Sequence, residues 1–151
     1  MINITITNGY ESLVEMFIRN GLEFSAEDEV PTDLVRCWEA RDDAQGGKLA
    51  GGCVLALREG EYIIDGIAVE PEFRGTQIGA RLLEQAIEAV KNRGGKALYL
   101  VARAPGFFRK RGFAAVPREG APTFFECFAC PQYNKTCFPE VMRLVFFPPG
   151  A

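Results

Sequence analysis

Residues 62–80, YIIDGIAVEPEFRGTQIGA, limit the possible fold of this chain more than any other stretch. Ile63, Ile64, Ile67 and Val69 around Asp65 and Gly66 form a short β-branched apolar run, the pattern of a buried strand. Pro71 stops the ladder because it brings no N–H. Arg74-Gly75-Thr76-Gln77-Ile78-Gly79-Ala80 is a glycine-punctuated turn, and from it Ile78, Leu82, Leu83, Ala86, Ile87 and Val90 recur at helical spacing. Gly94-Gly95 ends that helix, and Ala97–Val101 reads as a second buried strand. A crossover of this length requires the two strands to lie parallel. It also gathers free backbone N–H groups and the positive end of a helix dipole at the end of the first strand, a geometry that binds phosphate.

The remaining segments are joined mainly by hairpins. Ile2, Ile4 and Ile6 alternate with polar residues, as in a half-buried strand. Asn8 and Glu11 form a capping-box pattern for a helix carrying Leu13, Val14, Met16, Phe17 and Ile18, with Gly21 as its C-cap. Phe24–Pro31 is acidic and loop-like, and Thr32 or Asp33 is placed to cap a short turn before a strand at Arg36–Ala40. Gly46-Gly47 turns that strand into Leu49–Leu57, and Glu59-Gly60-Glu61 turns it again into the central run. Pro105 opens a short helix, Gly106–Lys110, closed by Gly112; strands follow at Phe113–Val116 and Val141–Phe147. Antiparallel hairpins around one parallel crossover predict a single domain of α/β (α+β) class, 1–151, with a mixed sheet and helices on both faces.

Several function classes are disfavoured. A net charge of −3 without any dense Lys/Arg block argues against nucleic acid, which needs a basic footprint. The apolar runs are too short to span a bilayer, and MINITITNGY lacks the basic and apolar regions of a signal peptide, so a cytoplasmic protein without a membrane partner is expected. The chain has no histidine, which removes Ser–His and Cys–His nucleophile pairs and every His-based zinc site.

Two stretches, IAVEPEFRGTQIGARLLEQAI and ALYLVARAPGFFRKRGF, together resemble the GNAT superfamily of acyl-CoA N-acyltransferases, and the order of elements agrees from about Ile2 to Phe147. The resemblance implies a mostly antiparallel central sheet of about six to seven strands flanked by helices. It implies acetyl-CoA as co-substrate, a primary-amine acceptor, and a monomer or homodimer. The amides of Gly75 and of Gln77, Ile78, Gly79 and Ala80 would hold the CoA pyrophosphate, and Thr76 and Phe108 would also belong to the coenzyme site. The backbone of Ile67, Ala68 and Val69 would pair with the pantetheine arm, with the Ala68 or Val69 N–H polarising the thioester carbonyl. Arg74 would either neutralise a phosphate or stand as a solvated loop charge. Two residues depart from the family pattern: Gln77 replaces the first glycine of the loop, and Phe108 stands where many members carry a tyrosine acid. RAPGFFRKRGF and the cysteine-containing tail also resemble stand-alone N-acetylglutamate synthases, which implies a small amino-acid-like acceptor. Protein N-termini or lysines are the alternative acceptors, and a non-catalytic acyl-CoA sensor is the alternative of another class.

An α-amine has a pKa of about 7.7–8.0 and a lysine amine about 10.4, so a base matters more for the second. Asp65 is the first candidate and Glu61, acting through water, the second; the competing reading makes both solvated charges. Cys127, Cys130 and Cys137 lie close together in CFACPQYNKTC and are candidates for a metal site completed by Cys37, Cys53, a carboxylate or water. Free thiols or a local disulfide are the competing readings. The aromatics Phe124, Phe125, Phe128, Tyr133 and Phe138 suit a lid over the acceptor end.

Overall fold

β1 (Ile2–Thr7) runs beside β2 (Leu34–Asp42), and β3 (Lys48–Arg58) and β4 (Glu61–Val69) continue the antiparallel series. The computed structural model describes residues 2–21, 33–102, 105–116 and 140–146. Helices α1 (Tyr10–Arg19), α2 (Ile78–Asn92) and α3 (Pro105–Arg109) alternate with these strands and with β5 (Ala97–Ala102), β6 (Ala114–Ala115) and β7 (Glu140–Val145). Among the described residues the sheet has seven strands in the order β1-β2-β3-β4-β5-β7-β6, and of these pairings only β4 with β5 is parallel. The fold is therefore the mixed, mostly antiparallel one expected.

Successive residues of β3 supply opposite faces, as the period of a strand requires. Cys53 and Leu55 join Ile78, Leu82, Leu83, Ala86 and Val90 of α2, together with Ile64, Leu98 and Leu100. Val54 between them joins Leu13, Val14, Met16 and Phe17 of α1. Each fully buried Leu, Met or Phe on these helices contributes about 1.5–3 kcal/mol of transfer free energy, which is what holds the helices to the sheet. Further along the α1 face, Ala56, Ile63, Tyr99 and Val141 form a third apolar group. Close seating of α1 depends on glycine: a Cβ on Gly66 would lie 2.6 Å from a ring carbon of Phe17.

Local details differ from the sequence reading where a side chain finds a better partner. α1 begins at Tyr10 behind Gly9, with no side-chain cap, and the Gly9 N–H donates to Thr7 Oγ1 at 3.0 Å, so the Asn8/Glu11 capping box is not formed. The helix ends on Asn20, with Gly21 just beyond it at φ 82°. The Asp33 carboxylate is engaged by Arg58, and Thr32 and the Phe24–Pro31 stretch lie outside the described residues. The strand expected over Phe113–Val116 is confined to Ala114–Ala115, and the last strand stops at Val145. Among the described residues, no helix is long and apolar enough to cross a membrane.

Candidate active site

The parallel ladder between β4 and β5 is short. It holds Tyr62 to Leu98, Ile63 to Tyr99 and Ile64 to Leu100, and then stops. Both strands continue, but each only with its other neighbour: β4 stays on β3 as far as Val69, opposite Gly51, and β5 stays on β7 as far as Ala102, opposite Glu140. The sheet is thus splayed between β4 and β5, leaving a V-shaped opening whose vertex follows Ile64. The cause is visible in the register. Val54 pairs with Gly66 and Leu55 with Ile64, so Asp65 is the extra residue of a β-bulge. A bulge bends its strand and increases its twist, which carries β4 away from β5 from this residue onward.

At the wide end of the opening, a 3₁₀ turn at Pro71–Phe73 leads into the loop before α2. Thr76 Oγ1 donates to the Phe73 carbonyl and closes this turn. Gly75 takes φ 85° and Gln77, the N-cap of α2, takes φ 66°. A left-handed conformation costs a non-glycine residue about 1–2 kcal/mol, so Gln77 carries strain that a glycine would not. The Gln77 side chain makes no capping hydrogen bond. Arg81 N–H donates to the Gln77 carbonyl at 3.1 Å, so the amides of Ile78, Gly79 and Ala80 precede that helical bond and are not consumed by it. Donors and dipole converge beside the end of β4, where an anion is stabilised.

Arg74 does not project from this loop. Its Nε donates to the Val69 carbonyl at 3.2 Å and its Nη2 to Asn20 Oδ1 at 3.0 Å. Asn20 in turn donates to Glu70 Oε1 at 2.7 Å, and Arg19 pairs with Glu70 at 3.2 Å, tying the end of α1 to the end of β4. Glu70 is held below the usual carboxylate range by these donors, against the opposing effect of burial. An anion at α2 would have to draw Arg74 away from two neutral acceptors.

At the vertex, Asp65 accepts a two-pronged pair from Arg58, Nη1 to Oδ1 at 3.1 Å and Nη2 to Oδ2 at 2.9 Å. Arg58 reaches Asp33 with its other edge, Nε to Oδ2 at 2.6 Å and Nη2 to Oδ1 at 3.3 Å. Burial pushes the Asp65 carboxyl above the ordinary aspartate range; Arg58 counteracts this in part, and the Asp33 charge adds to it. Asp33 lies the other way, held low by its hydrogen bonds to Arg58. Cys37, on the same face of the sheet, is kept as a thiol by burial and by the Asp65 charge. Glu61 pairs with Arg58 across the hairpin, and it precedes the closed part of the β4–β5 ladder. Four residues of strand, about 13 Å, separate it from Asp65.

The Acetyltransferase (GNAT) family model matches residues 10–113, more than half of the chain. The chain belongs to the GNAT family. A protein of Bacillus subtilis (strain 168), provisionally assigned as a ribosomal protein bS18-alanine N-acetyltransferase, is 34% identical over 71 residues, 44% of this chain and 47% of that one. The chain spans about half the length of the curated relatives it matches. Among solved structures, the Escherichia coli ribosomal-protein-S18-alanine N-acetyltransferase has a TM-score of 0.71 at 19% identity, covering 99% of this chain and 97% of that one. The N-acetylglutamate synthase of Neisseria gonorrhoeae, complexed with coenzyme A and N-acetyl-glutamate, has a TM-score of 0.72 at 18% identity, covering 98% of this chain and 36% of that one. These two likenesses show the GNAT fold.

Within the GNAT frame, Ile67, Ala68 and Val69 lie on the diverging part of β4, and Gly75 to Ala80 lie on the loop and first turn of α2. The structure therefore brings Ile67 to Val69 and Gly75 to Ala80 to one opening, whereas Arg74, also singled out for the coenzyme, is turned back onto Val69 and Asn20. Phe108 is 7% exposed, packed edge-on between Phe107 and Phe113 at ring-centre distances of 5.0 and 5.7 Å. Phe107 faces Gly79 of α2: a Cβ on Gly79 would meet its Cζ at 3.4 Å and Val69 Cγ2 at 3.6 Å. Arg111 covers the other side of Phe107, 3.9 Å from the ring centre, and donates to the Phe107 carbonyl at 2.8 Å. Sequence reasoning missed Phe107, Arg58 and Asp33 as parts of this region.

Cys127, Cys130 and Cys137, and the aromatics around them, lie outside the described residues. Of their suggested partners, Cys53 is fully buried on the α2 face and Cys37 is buried on the α1 face. Burial raises both thiols above their ordinary range, Cys53 far above it, and a thiolate is what a metal requires. Among the described residues, no group of three possible ligands is gathered.

Proposed function

We propose that this GNAT protein is an N-acetyltransferase that moves an acetyl group from acetyl-CoA to a primary amine. The observation that carries the reading is the end of the β4–β5 ladder at Ile64 and Leu100, with the α2 N-terminus at the wide end and Asp65 at the vertex. Phosphates would rest on the amides of Ile78, Gly79 and Ala80, and the thioester-bearing arm would enter along β4 as an added strand. That course brings the acyl group beside the Ala68 and Val69 amides, either of which would stabilise the oxyanion, and Asp65, about 10 Å back along β4 at the vertex, would take the proton of the attacking ammonium by way of water.

The chain's relatives support the acetyl donor: one structural neighbour holds coenzyme A, and another is named as a protein-alanine N-acetyltransferase. No hydroxyl stands at Phe108 to protonate the departing thiolate, which leaves readily as the anion because it is far less basic than an alkoxide. Hydrophobic contact is what Phe107 and Phe108 offer in its place. The test is release of free thiol from acetyl-CoA across a panel of amines: amino acids, amino-acid amides, short peptides, lysine side chains and polyamines. Amine-dependent release with formation of the N-acetyl product is expected. Coenzyme binding without release for any amine would contradict the enzyme and favour an acyl-CoA sensor.

A further inference from the structure

Three charged side chains at the vertex are linked to one another. Arg58 contributes Nε, Nη1 and Nη2, and each of them is engaged by a carboxylate oxygen of Asp33 or Asp65. A guanidinium offers two flat edges to carboxylates, and here the chain itself occupies both. The set is nonetheless within reach of solvent, with side-chain exposures of 27% for Arg58, 30% for Asp33 and 17% for Asp65. With both acids ionised its charge is −1 + 1 − 1, or one negative, and Glu61 across the ladder from Arg58 adds another on the same face.

An approaching ammonium meets an attractive site. A carboxylate on the same molecule does not, because binding Arg58 would require expelling Asp33 or Asp65. The expelled group would then lie unpaired beside a like charge, partly out of water, an arrangement that is strongly disfavoured. We infer that the acceptor is a primary amine with no free carboxylate on the carbon bearing it, such as the α-amine of an amino-acid amide or a peptide, and that Asp33 sets this preference by keeping Arg58 from reading a carboxylate. The inference rests on the proposed reading of the Asp65 vertex as the acceptor end. It departs from the small amino-acid-like acceptor implied by the sequence resemblance.

The experiment uses the full chain and a set of amino acids, each paired with its own amide. Values of kcat/KM for thiol release are compared on total amine at pH 7, where both members of each pair are mainly the ammonium that the site attracts. The parent protein is expected to favour the amide at least tenfold, mainly through KM. Asp33→Asn, which keeps the shape but removes the charge, should narrow that ratio about tenfold by lowering KM for the free acids. Equal use of acid and amide by the parent would overturn the inference whether or not the variant folds. So would an unchanged ratio in a folded Asp33→Asn protein. Absence of release with every amine would remove the proposed activity, and this inference with it, whereas release with a ratio near one removes the inference alone.

Discussion

Asp65→Asn is expected to lower kcat/KM about 100-fold at pH 7, within the usual range for loss of a general base. Asparagine keeps the volume and still accepts a hydrogen bond from Arg58, so the β-bulge and the ion pair of Arg58 with Asp33 should persist. It cannot take a proton. The parent carboxylate is suited to that task because burial raises its proton affinity while Arg58 keeps the rise moderate. Among the described residues, the groups facing it are Arg58 and Asp33, together with the thiol of Cys37. The sign of the pH effect follows from the acceptor. At pH 7 an α-amine of pKa about 8 is roughly one-tenth neutral, and a lysine amine of about 10.4 is neutral in less than one molecule per thousand. The variant depends on that neutral fraction, so its deficit should shrink about tenfold by pH 9 for an α-amine and continue shrinking well beyond pH 9 for a lysine. A deficit that is the same at every pH would make Asp65 a structural residue.

Gly79→Trp is expected to abolish coenzyme binding while leaving the fold intact. The space at Gly79 accepts a Cβ at ordinary contact distance from Phe107 and Val69, so Gly79→Ala should behave like the parent. An indole would fill the gap between the first turn of α2, the end of β4 and α3. Phosphate oxygens would then lose their approach to the Ile78, Gly79 and Ala80 amides. A ligand present at one hundred times its Kd stabilises the native state by about 2.7 kcal/mol, or about 5–10 °C in Tm for a chain of this size. That shift should appear with CoA for the parent and for Gly79→Ala, and vanish for Gly79→Trp. An undiminished shift in the folded tryptophan variant would move the phosphates elsewhere.

The backbone of the opening was legible in the sequence, and its side-chain pairing was not. The β-branched run, Pro71 and the helical spacing from Ile78 to Val90 establish a strand, a loop and a helix, since each depends on local pattern. The parallel crossover follows from chain length alone. The bulge at Asp65 leaves no comparable mark, because one unpaired residue in an apolar strand keeps the composition of that strand. Register from the Glu59-Gly60 hairpin places Arg58 opposite Glu61, and simple pairing would make those two partners. The observed partner on β4 is Asp65, which only the bulge and the reach of an arginine explain. Asp33 reads as a turn cap for the same reason: its partner lies 25 residues away in sequence. Phe107 and Phe108 are adjacent and chemically identical, so only the turn of α3 tells which ring lies deeper and which faces Gly79.

A coenzyme in the opening between β4 and β5, with its phosphates on α2, would shield the backbone amides there. Hydrogen exchange of backbone amides, with and without saturating CoA, tests this placement most directly. Slowed exchange is expected in segments 65–70 and 75–81, with smaller changes at the outer strands β1 and β2. Saturated protein whose protection falls elsewhere, with both segments unchanged, would contradict it.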